Sequence, residues 1–481
     1  MKINLINLFK VKEKEKEKVR IPRTVQHTIP INTVYEDGIF KVGKNKYSKT
    51  FRFSDVNYAV AGQEDKERMF LDYGAILNLL DCGSNPKLTI INRKLNKVDF
   101  DNRIKLQLEN DNLTEYRKEF NEMLAKNSVD SENMIQEKLL TITIGKKNIE
   151  EARKYFSRTG TELGNNFGKL NSKLDDLDLK ERLRIFYDFY RSGEEDLYKF
   201  DLKTFMKKGH NFKDYICPDT MEFKRDYFKL GDKYGRVLYL KEYATFIRDD
   251  IITELTELNK NMMLSIDLKP VPMETAIKLA EKIRLGIETN ITQWQKRQNE
   301  NNNFSAVIPY DLEKQREASK EMLDDLITRD QKMFLSVLTI VHIADTKEEL
   351  DSDTESLITT ANKFMCQLTK LRFQQLGGLN TAMPYGVKRI NATRTLTTES
   401  LSTFMPFKVQ EIQDSKGIYY GKNKISKNLI MIDRKGLQNG NSFILRCIWK
   451  WKKFYSKTWN YGYNVERQEF RYNNYWSWSW I

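Results

Sequence analysis

The stretch GIFKVGKNKYSKTFRF, residues 38–53, has the pattern of a β-hairpin. Two runs, residues 39–42 and 48–53, flank the turn-rich residues 43–45, as expected for two antiparallel strands joined by a tight turn. The folded part of the chain is therefore predicted to begin with strands.

Outward from this hairpin, helical and extended patterns alternate. Between residues 64 and 80 the apolar positions, among them Met69, Ile76 and Leu80, recur at the spacing of one helical face. The predicted elements that follow are a strand at 88–92, a helix at 113–125, a strand at 139–144 and a helix at 148–170. This order predicts that residues 24–172 form a small α/β domain of the split-βαβ type.

The middle of the chain predicts a second unit. Residues 175–232 are more polar and irregular, and we expect a domain boundary or a large insertion there. The elements predicted beyond it are strands at 237–243 and 262–268, long helices at 275–298 and 312–329, and a strand at 333–344. Residues 173–370 are therefore predicted to be a strand-and-helix subdomain with a long helical hairpin insertion. That hairpin either meets a partner or is simply exposed to solvent.

Composition predicts a folded cytoplasmic protein. The net charge of +14 arises from 81 basic and 67 acidic residues that are mixed along the chain, so it favours solubility over a specific nucleic-acid groove. The four cysteines, Cys82, Cys217, Cys366 and Cys447, are far apart, which is typical of a reducing compartment. Residues 1–23 carry a Lys/Glu repeat and are expected to be a charged tail without a secretory signal.

No catalytic, cofactor-binding or metal-binding residue is predicted for the chain as written. His27, His210 and His342 have no partners at catalytic or metal-ligand spacing, and neither HExxH nor GxSxG occurs. His342 lies in an apolar run and is expected in the core. The pairs at 194–195 and 249–250 are adjacent carboxylates, which do not share one helical face, so we expect them at the surface.

Several short motifs resemble one protein family. They are TVQHTIPINTVYEDGIFKV (24–42), YSKTFRFSDVNY (47–58), QQLGGLNTAMPYG (374–386), TRTLTTESLSTFMPF (393–407) and GIYYGKNKISKNLIMIDRK (417–435). In this order they resemble the N-terminal, non-catalytic part of conjugal-transfer ATPases, the type IV secretion ATPases of Gram-positive mobile elements. The resemblance covers about residues 24–445. Taken without the family, residues 380–386 and 404–407 are predicted turns and 428–433 is a predicted buried strand.

The resemblance implies that residues 371–445 are a connector and the first strands of an incomplete P-loop ATPase domain. In the family a Gly-rich loop that holds ATP and Mg²⁺ follows such a strand. Here no GxxxxGK[ST] occurs, and RCIWKWKKFYSKTW (446–459) stands in its place. The chain as written is therefore expected to be truncated before the P-loop and to lack ATPase activity.

The composition of residues 446–481 suggests a frameshift. Six of the seven tryptophans lie there, and a Trp codon read one base later always encodes glycine. Trp449 and Trp451 then become Gly-x-Gly, and the following lysine codons permit Gly-Ser-Gly-Lys-Ser, a P-loop ending. The alternative is a genuine aromatic, basic tail that binds nucleic acid or a membrane interface.

The resemblance implies a docking and assembly role in conjugation. Its expected partners are inner-membrane components of the transfer channel, together with self-association, at the inner face of the cell membrane. Two alternatives stay open: a mistranslated full ATPase that powers transfer, and a nucleic-acid-binding protein.

Overall fold

The computed structural model describes most of the chain between residues 22 and 433. The segments outside the description are residues 1–21, 23, 95–104, 107, 109–110, 130–133, 202–206, 208–210, 245–247, 302, 304–306, 413, 415–416, 424–427 and 434–481. The Lys/Glu repeat, His210, Cys447 and the tryptophan-rich tail therefore lie outside the described residues.

The described chain is an α+β structure, as predicted. Its strands are β1 (Thr33–Val34), β2 (Phe40–Gly43), β3 (Lys46–Phe53), β4 (Ser84–Lys94), β5 (Met134–Gly145), β6 (Leu174–Asp176), β7 (Met221–Phe223), β8 (Phe228–Leu230), β9 (Lys233–Glu242), β10 (Met262–Val271), β11 (Met333–Ala344), β12 (Gln367–Lys370), β13 (Arg394–Thr397), β14 (Ile418–Lys422) and β15 (Leu429–Ile432). Its α-helices are α1 (Val25–Thr28), α2 (Gln63–Leu79), α3 (Thr114–Val129), α4 (Ile149–Lys169), α5 (Leu179–Tyr190), α6 (Phe212–Ile216), α7 (Ile251–Thr256), α8 (Met273–Glu300), α9 (Tyr310–Thr328), α10 (Lys347–Lys363), α11 (Gln375–Ala382) and α12 (Thr398–Ser402).

One large antiparallel sheet organises the molecule. The 13 strands that the described residues contribute to it follow the order β1-β2-β3-β5-β4-β10-β11-β9-β8-β7, while β6 pairs with β3, β12 with β9 and β13 with β11. Strands β14 and β15 form a separate two-stranded sheet. The predicted hairpin at 38–53 is confirmed as β2 and β3, which pair antiparallel.

The sheet consists of two halves with the same topology. In the first half (β3 to β6), β5 lies between β3 and β4 and is antiparallel to both, and β6 pairs with the outer side of β3. In the second half (β9 to β12), β11 lies in the same way between β9 and β10, and β12 pairs with β9. Antiparallel pairing of β4 with β10 joins the halves, so the sheet continues across the domain boundary predicted near residue 173.

Helices cover both faces of this sheet. On one face the apolar sides of α2, α4, α7 and α10 pack together with residues of β3, β5, β10 and β11. On the other face α5, α6 and α11 pack against the opposite side chains of the same strands. The central strand β11 is buried on both faces, which explains its nearly continuous apolar sequence. The strand predicted at 333–344 is confirmed.

Local sequence signals fix several helix starts. The Asn148 side chain accepts a hydrogen bond from the Glu151 amide at 2.9 Å and caps α4. Asp178 and Glu181 form a reciprocal capping box at the start of α5.

Two local expectations need correction. The prediction of an irregular segment at 175–232 is wrong for α5, which is largely buried. Charged residues interrupt the apolar pattern of this helix in the sequence, and one of them, Arg182, is itself buried. The turn predicted at 380–386 begins only after Ala382, because α11 includes residues 380–382.

The two halves carry insertions at equivalent places, between their second and third strands. In the second half α8 and α9 pack against each other as the predicted helical hairpin, over a base that includes Ala276, Ala280 and Leu326. In the first half α3 packs against β15, where Phe120 and Leu124 contact the cluster that contains Leu429. The strand predicted at 428–433 is confirmed as β15, paired antiparallel with β14. Among the described helices none is both long and apolar enough to cross a membrane.

Candidate functional site

The segment of residues 375–390 lies buried across the middle of the sheet, on the face that α5 covers. It begins as α11 and continues through Met383, Tyr385 and Ile390, which are all fully buried. Polar side chains from the strands and from α5 donate hydrogen bonds to its backbone carbonyl groups, and a carboxylate on β10 pairs with one of these donors. We call this arrangement the central clasp, and its side chains are Lys87, Thr143, Arg182, Ser265 and Asp267.

Lys87 is at the centre of the clasp, on the strand that joins the halves. Its Nζ donates to the carbonyl oxygens of Val387 at 3.0 Å and Met383 at 3.2 Å, and also to that of Thr381. Its carboxylate partner is Asp267, at 3.2 Å, which lies directly opposite on β10. One buried ammonium group therefore holds the segment and both halves of the sheet together.

Burial shifts the titration of both members of this pair. Desolvation lowers the pKa of Lys87, and the Asp267 carboxylate opposes that shift. Desolvation raises the pKa of Asp267 to about 6, although Lys87 pulls it down. A buried ion pair of this kind is costly to break from one side, because the remaining charge has no compensation.

Arg182 brings a second buried cation to the clasp from α5. Its Nη1 donates to the carbonyls of Gly38 at 2.7 Å and Ser48 at 2.9 Å, and its Nη2 lies 3.4 Å from the Pro384 carbonyl. The guanidinium carbon lies 3.7 Å from the centroid of the Phe40 ring. Within the described residues Arg182 forms no ion pair, and burial lowers its pKa to about 9. It therefore stays charged at neutral pH and ties α5 to the β2–β3 hairpin.

Two glycines of the motif are required by close packing. Gly386 has φ +85°, and a Cβ there would lie 2.0 Å from the Thr143 hydroxyl oxygen. That hydroxyl donates to the Gly386 carbonyl at 2.8 Å. A Cβ on Gly378 would lie 2.3 Å from a methyl group of Leu371. The backbone thus approaches the sheet more closely than any larger residue allows.

Further contacts hold the segment of residues 375–390 against its neighbours. The hydroxyl groups of Tyr385 and Tyr190 lie 2.7 Å apart, and the Tyr385 ring stacks on Phe186 with centroids 4.5 Å apart. At the start of α11, the Gln375 side-chain oxygen accepts from the Val237 amide at 2.9 Å. The segment is therefore held along its whole length by both polar and aromatic contacts.

A separate buried cluster lies under α10 in the second half. Arg236 donates to Asp351 and to the Thr354 hydroxyl, both at 2.7 Å, and that hydroxyl lies 3.1 Å from His342 Nε2. Burial, assisted by the charge of Arg236, lowers the pKa of His342 to about 3. The predicted core position of His342 is confirmed, since the side chain is fully buried.

The other sequence candidates are not brought together. His27 lies in the short helix α1 and is exposed. Glu194 is exposed and pairs with Arg191 at 2.7 Å, while Asp249 is exposed and accepts from the Tyr58 hydroxyl at 2.5 Å. These carboxylates are at the surface, as predicted. Cys82, Cys217 and Cys366 are free thiols.

A small pocket of about 30 Å³ lies beside the ends of the central strands, with Ile91, Met263 and Phe189 in its apolar wall and Glu137 and Asp188 beside them. No group of three metal-ligating side chains occurs within the described ranges. No protein-family model matches the sequence, and no curated protein sequence matches it significantly.

Sequence reasoning marked the motif at 374–386 but missed the side chains that hold it. Lys87, Arg182 and Asp267 stand among strand and helix residues where charged side chains usually face solvent. The available signal was the position of Lys87 directly before the strand predicted at 88–92. The clasp side chains are buried, four of them are bonded to backbone carbonyl groups and Asp267 pairs with Lys87, so the arrangement fixes a segment in place.

Proposed function

We propose that the described chain is the N-terminal docking and assembly region of a conjugal-transfer ATPase of a type IV secretion system. The observation that carries this proposal is the position of the segment at 375–390. This segment is part of the stretch 374–435, which carries most of the resemblance to the family; it contacts both halves, so its unusual residues have a structural reason to occur together.

The split-βαβ description is part of this proposal. It is supported by β5, which lies between the parallel strands β3 and β4, and by β11, which lies between β9 and β10. Helices α2 and α7 connect the strands of each parallel pair. We infer that the chain contains two such units, fused edge to edge through β4 and β10.

In this proposal the clasp fixes the route from the docking region toward a motor domain. After residue 390 the chain adds β13 to the sheet beside β11, and β14–β15 then pack on α3. Consequently the connector is attached to both halves before residue 433. A force applied beyond that point would reach the whole docking region, because rigid packed elements transmit it.

The docking role is tested by co-expressing the chain with the inner-membrane proteins of its transfer channel. Co-purification from a detergent extract is the expected result, with an unrelated ferredoxin-sized α+β protein carrying the same tag as control. If the chain is recovered alone at several detergent and salt conditions, the docking role is wrong.

Nucleotide hydrolysis separates this proposal from the motor alternative. Residues 1–481 contain no GxxxxGK[ST], so we expect the purified chain to show no Mg²⁺-dependent ATP turnover. Turnover by pure protein would contradict that expectation.

Resequencing the gene across the codons for 445–453 tests the frameshift directly. A second frame that stays open and encodes Gly-x-Gly-Lys-Ser or Gly-x-Gly-Lys-Thr would support a full ATPase as the functional product. If no such frame exists, the aromatic tail should be tested for nucleic-acid binding, which would weaken steeply as salt rises.

A further inference from the structure

The edge of the second half contains a notch with an open strand. Strand β12 pairs with β9 through residues 238–242, while β8 pairs with the same side of β9 through residues 233–235. Among the described strands of this edge, only β8 carries a further strand, β7, on its outer side. The position beside β12, in line with β7, holds no strand among the described residues.

Two exposed apolar side chains mark the ends of this notch. Met365 precedes β12 and is 78% exposed, and Phe373 follows it and is 79% exposed. Both have left-handed backbone conformations, with φ of 54° and 57°. That conformation costs a non-glycine residue roughly 1–2 kcal/mol. Each of these two residues therefore combines a left-handed backbone with an exposed apolar side chain, on either side of one short edge strand.

The notch is closed at one end by the turn between β7 and β8. The Phe373 amide donates to the Arg225 carbonyl at 2.7 Å, and the Arg225 guanidinium lies 5.6 Å from the Phe373 ring centroid. This contact fixes the end of the notch. A strand added beside β12 would therefore end at this contact, where it would meet the Phe373 ring.

The rim of the notch is basic. Lys363, Arg372 and Arg225 are exposed, and Lys370 is half-buried within β12. Within the described part of the chain these side chains form no ion pair, and Lys370 meets the charge of Asp351 only at longer range. An extended segment with carboxylate side chains would complement this rim.

We propose that the outer edge of β12 binds an extended acidic peptide segment of a partner protein by strand addition. Backbone hydrogen bonds to residues 367–370 would provide the pairing, Met365 and Phe373 the apolar contacts, and the basic rim the preference for acidic sequences. Because β12 has four residues, the added strand spans about 13 Å. A second copy of the chain fits less well, since it would bring two basic rims together.

This inference names a surface for the docking role and rests on it for its biological meaning. Its test is independent of that role, because it uses the purified chain without any channel component. The probe is a fluorescein-labelled, C-terminally amidated hexapeptide, Val-Glu-Val-Asp-Val-Glu, and the counterpart has lysine at each acidic position. Fluorescence anisotropy gives the dissociation constants, and backbone hydrogen exchange locates the binding.

We expect the acidic peptide to bind and the lysine peptide not to bind. Binding should slow amide exchange in residues 366–371 and weaken as salt rises. The double variant Lys363→Glu/Arg372→Glu should weaken binding about tenfold, which corresponds to about 1.4 kcal/mol. Lys154→Glu, which changes an exposed lysine on α4 in the other half, is the matched control and should bind as the wild type does.

A Phe373→Ser variant tests the apolar contact separately and should also weaken binding, since it leaves the rim charges intact. Several results would overturn the proposal: no binding of the acidic peptide, equal binding of both peptides, or full affinity in the charge-reversed double variant. If the chain instead dimerises without peptide and protects residues 366–371, the occupant is a second copy and the acidic-peptide proposal is wrong.

Discussion

The insertions of the two halves occupy the same place in the topology, but different parts of the chain pack against them. In the second half α8 and α9 are neighbours in sequence and bury Leu326 between themselves and the sheet. In the first half α3 is covered by β15, from the far end of the described chain. The apolar side of the second insertion is therefore buried by residues close to it in sequence. The apolar side of the first insertion is buried only when the connector, which follows the segment held by the clasp, packs on α3.

The largest expected effect is at the junction between the halves. Lys87→Ala would leave Asp267 buried without its partner and three carbonyls without their donor. We expect a loss of about 3–5 kcal/mol in the free energy of unfolding, measured by guanidinium denaturation. The double variant Lys87→Ala/Asp267→Ala should recover part of that loss. A cost below about 1 kcal/mol would mean that the clasp does not hold the halves together.

A matched pair of core leucines compares the two insertions. Leu429 and Leu326 are both 2% exposed, and replacing either with alanine should cost about 2–4 kcal/mol locally. Hydrogen exchange should become faster in α3 for Leu429→Ala and in α8 and α9 for Leu326→Ala. Faster exchange in both insertions with either variant would contradict independent closure.

A glycine pair tests the close approach of the segment to the sheet. Gly386→Ala should cost about 1–3 kcal/mol, because its positive φ and the contact with Thr143 both exclude a Cβ. Gly164→Ala in α4 meets no atom within 4 Å and should instead stabilise the protein by about 0.5–1 kcal/mol. Thermal denaturation of both variants measures the difference, and equal effects would refute the packing argument.

The smallest effect is expected in how the stability of the second half changes as pH is lowered. The pKa of His342 falls from 6.5 to about 3 on folding, so its contribution to stability is present above pH 6.5 and is lost as pH falls toward 3. His342→Gln should therefore show a shallower loss of stability between pH 6.5 and 4. Urea midpoints across that range measure it, and parallel curves for both proteins would contradict the buried neutral histidine.

The titration of Asp267 at the junction should change the stability of the protein with pH in the opposite direction to His342 over the same range. Its folded pKa of about 6 lies above the ordinary value of 3.8, so the stability that it contributes is present below 3.8 and is lost as pH rises through 6. In Asp267→Asn this component should disappear. The two variants together separate the titration of the junction from that of the second half.

Periodicity predicted the long strands of the sheet and several of its long helices because those elements bury apolar side chains at regular intervals, whereas the short edge strands and α10 were not predicted. The strand at 333–344 was predicted with the bounds it has, since both of its faces are apolar. Helix α5 was missed because Arg182 and other charged residues interrupt its apolar face, although it is mostly buried. Local pattern cannot distinguish an arginine in solvent from one that binds backbone carbonyls.

The clasp was only partly predictable for a similar reason. The glycines and Pro384 in the motif at 374–386 indicated an unusual backbone, but its partners lie in strands far away in sequence. Lys87 and Val387 contact each other across 300 residues. No window of sequence contains both ends of such a contact, so the pairing became visible only in the fold.

That separation has a consequence for synthesis on the ribosome. At about 5–20 residues per second, Val387 is made about 15–60 s after Lys87, since 300 residues separate them. During that interval the nascent first half would carry an ammonium group and an apolar sheet face without their covering segment. Productive folding of the early residues should therefore require either late completion or a chaperone that covers this face until the segment emerges.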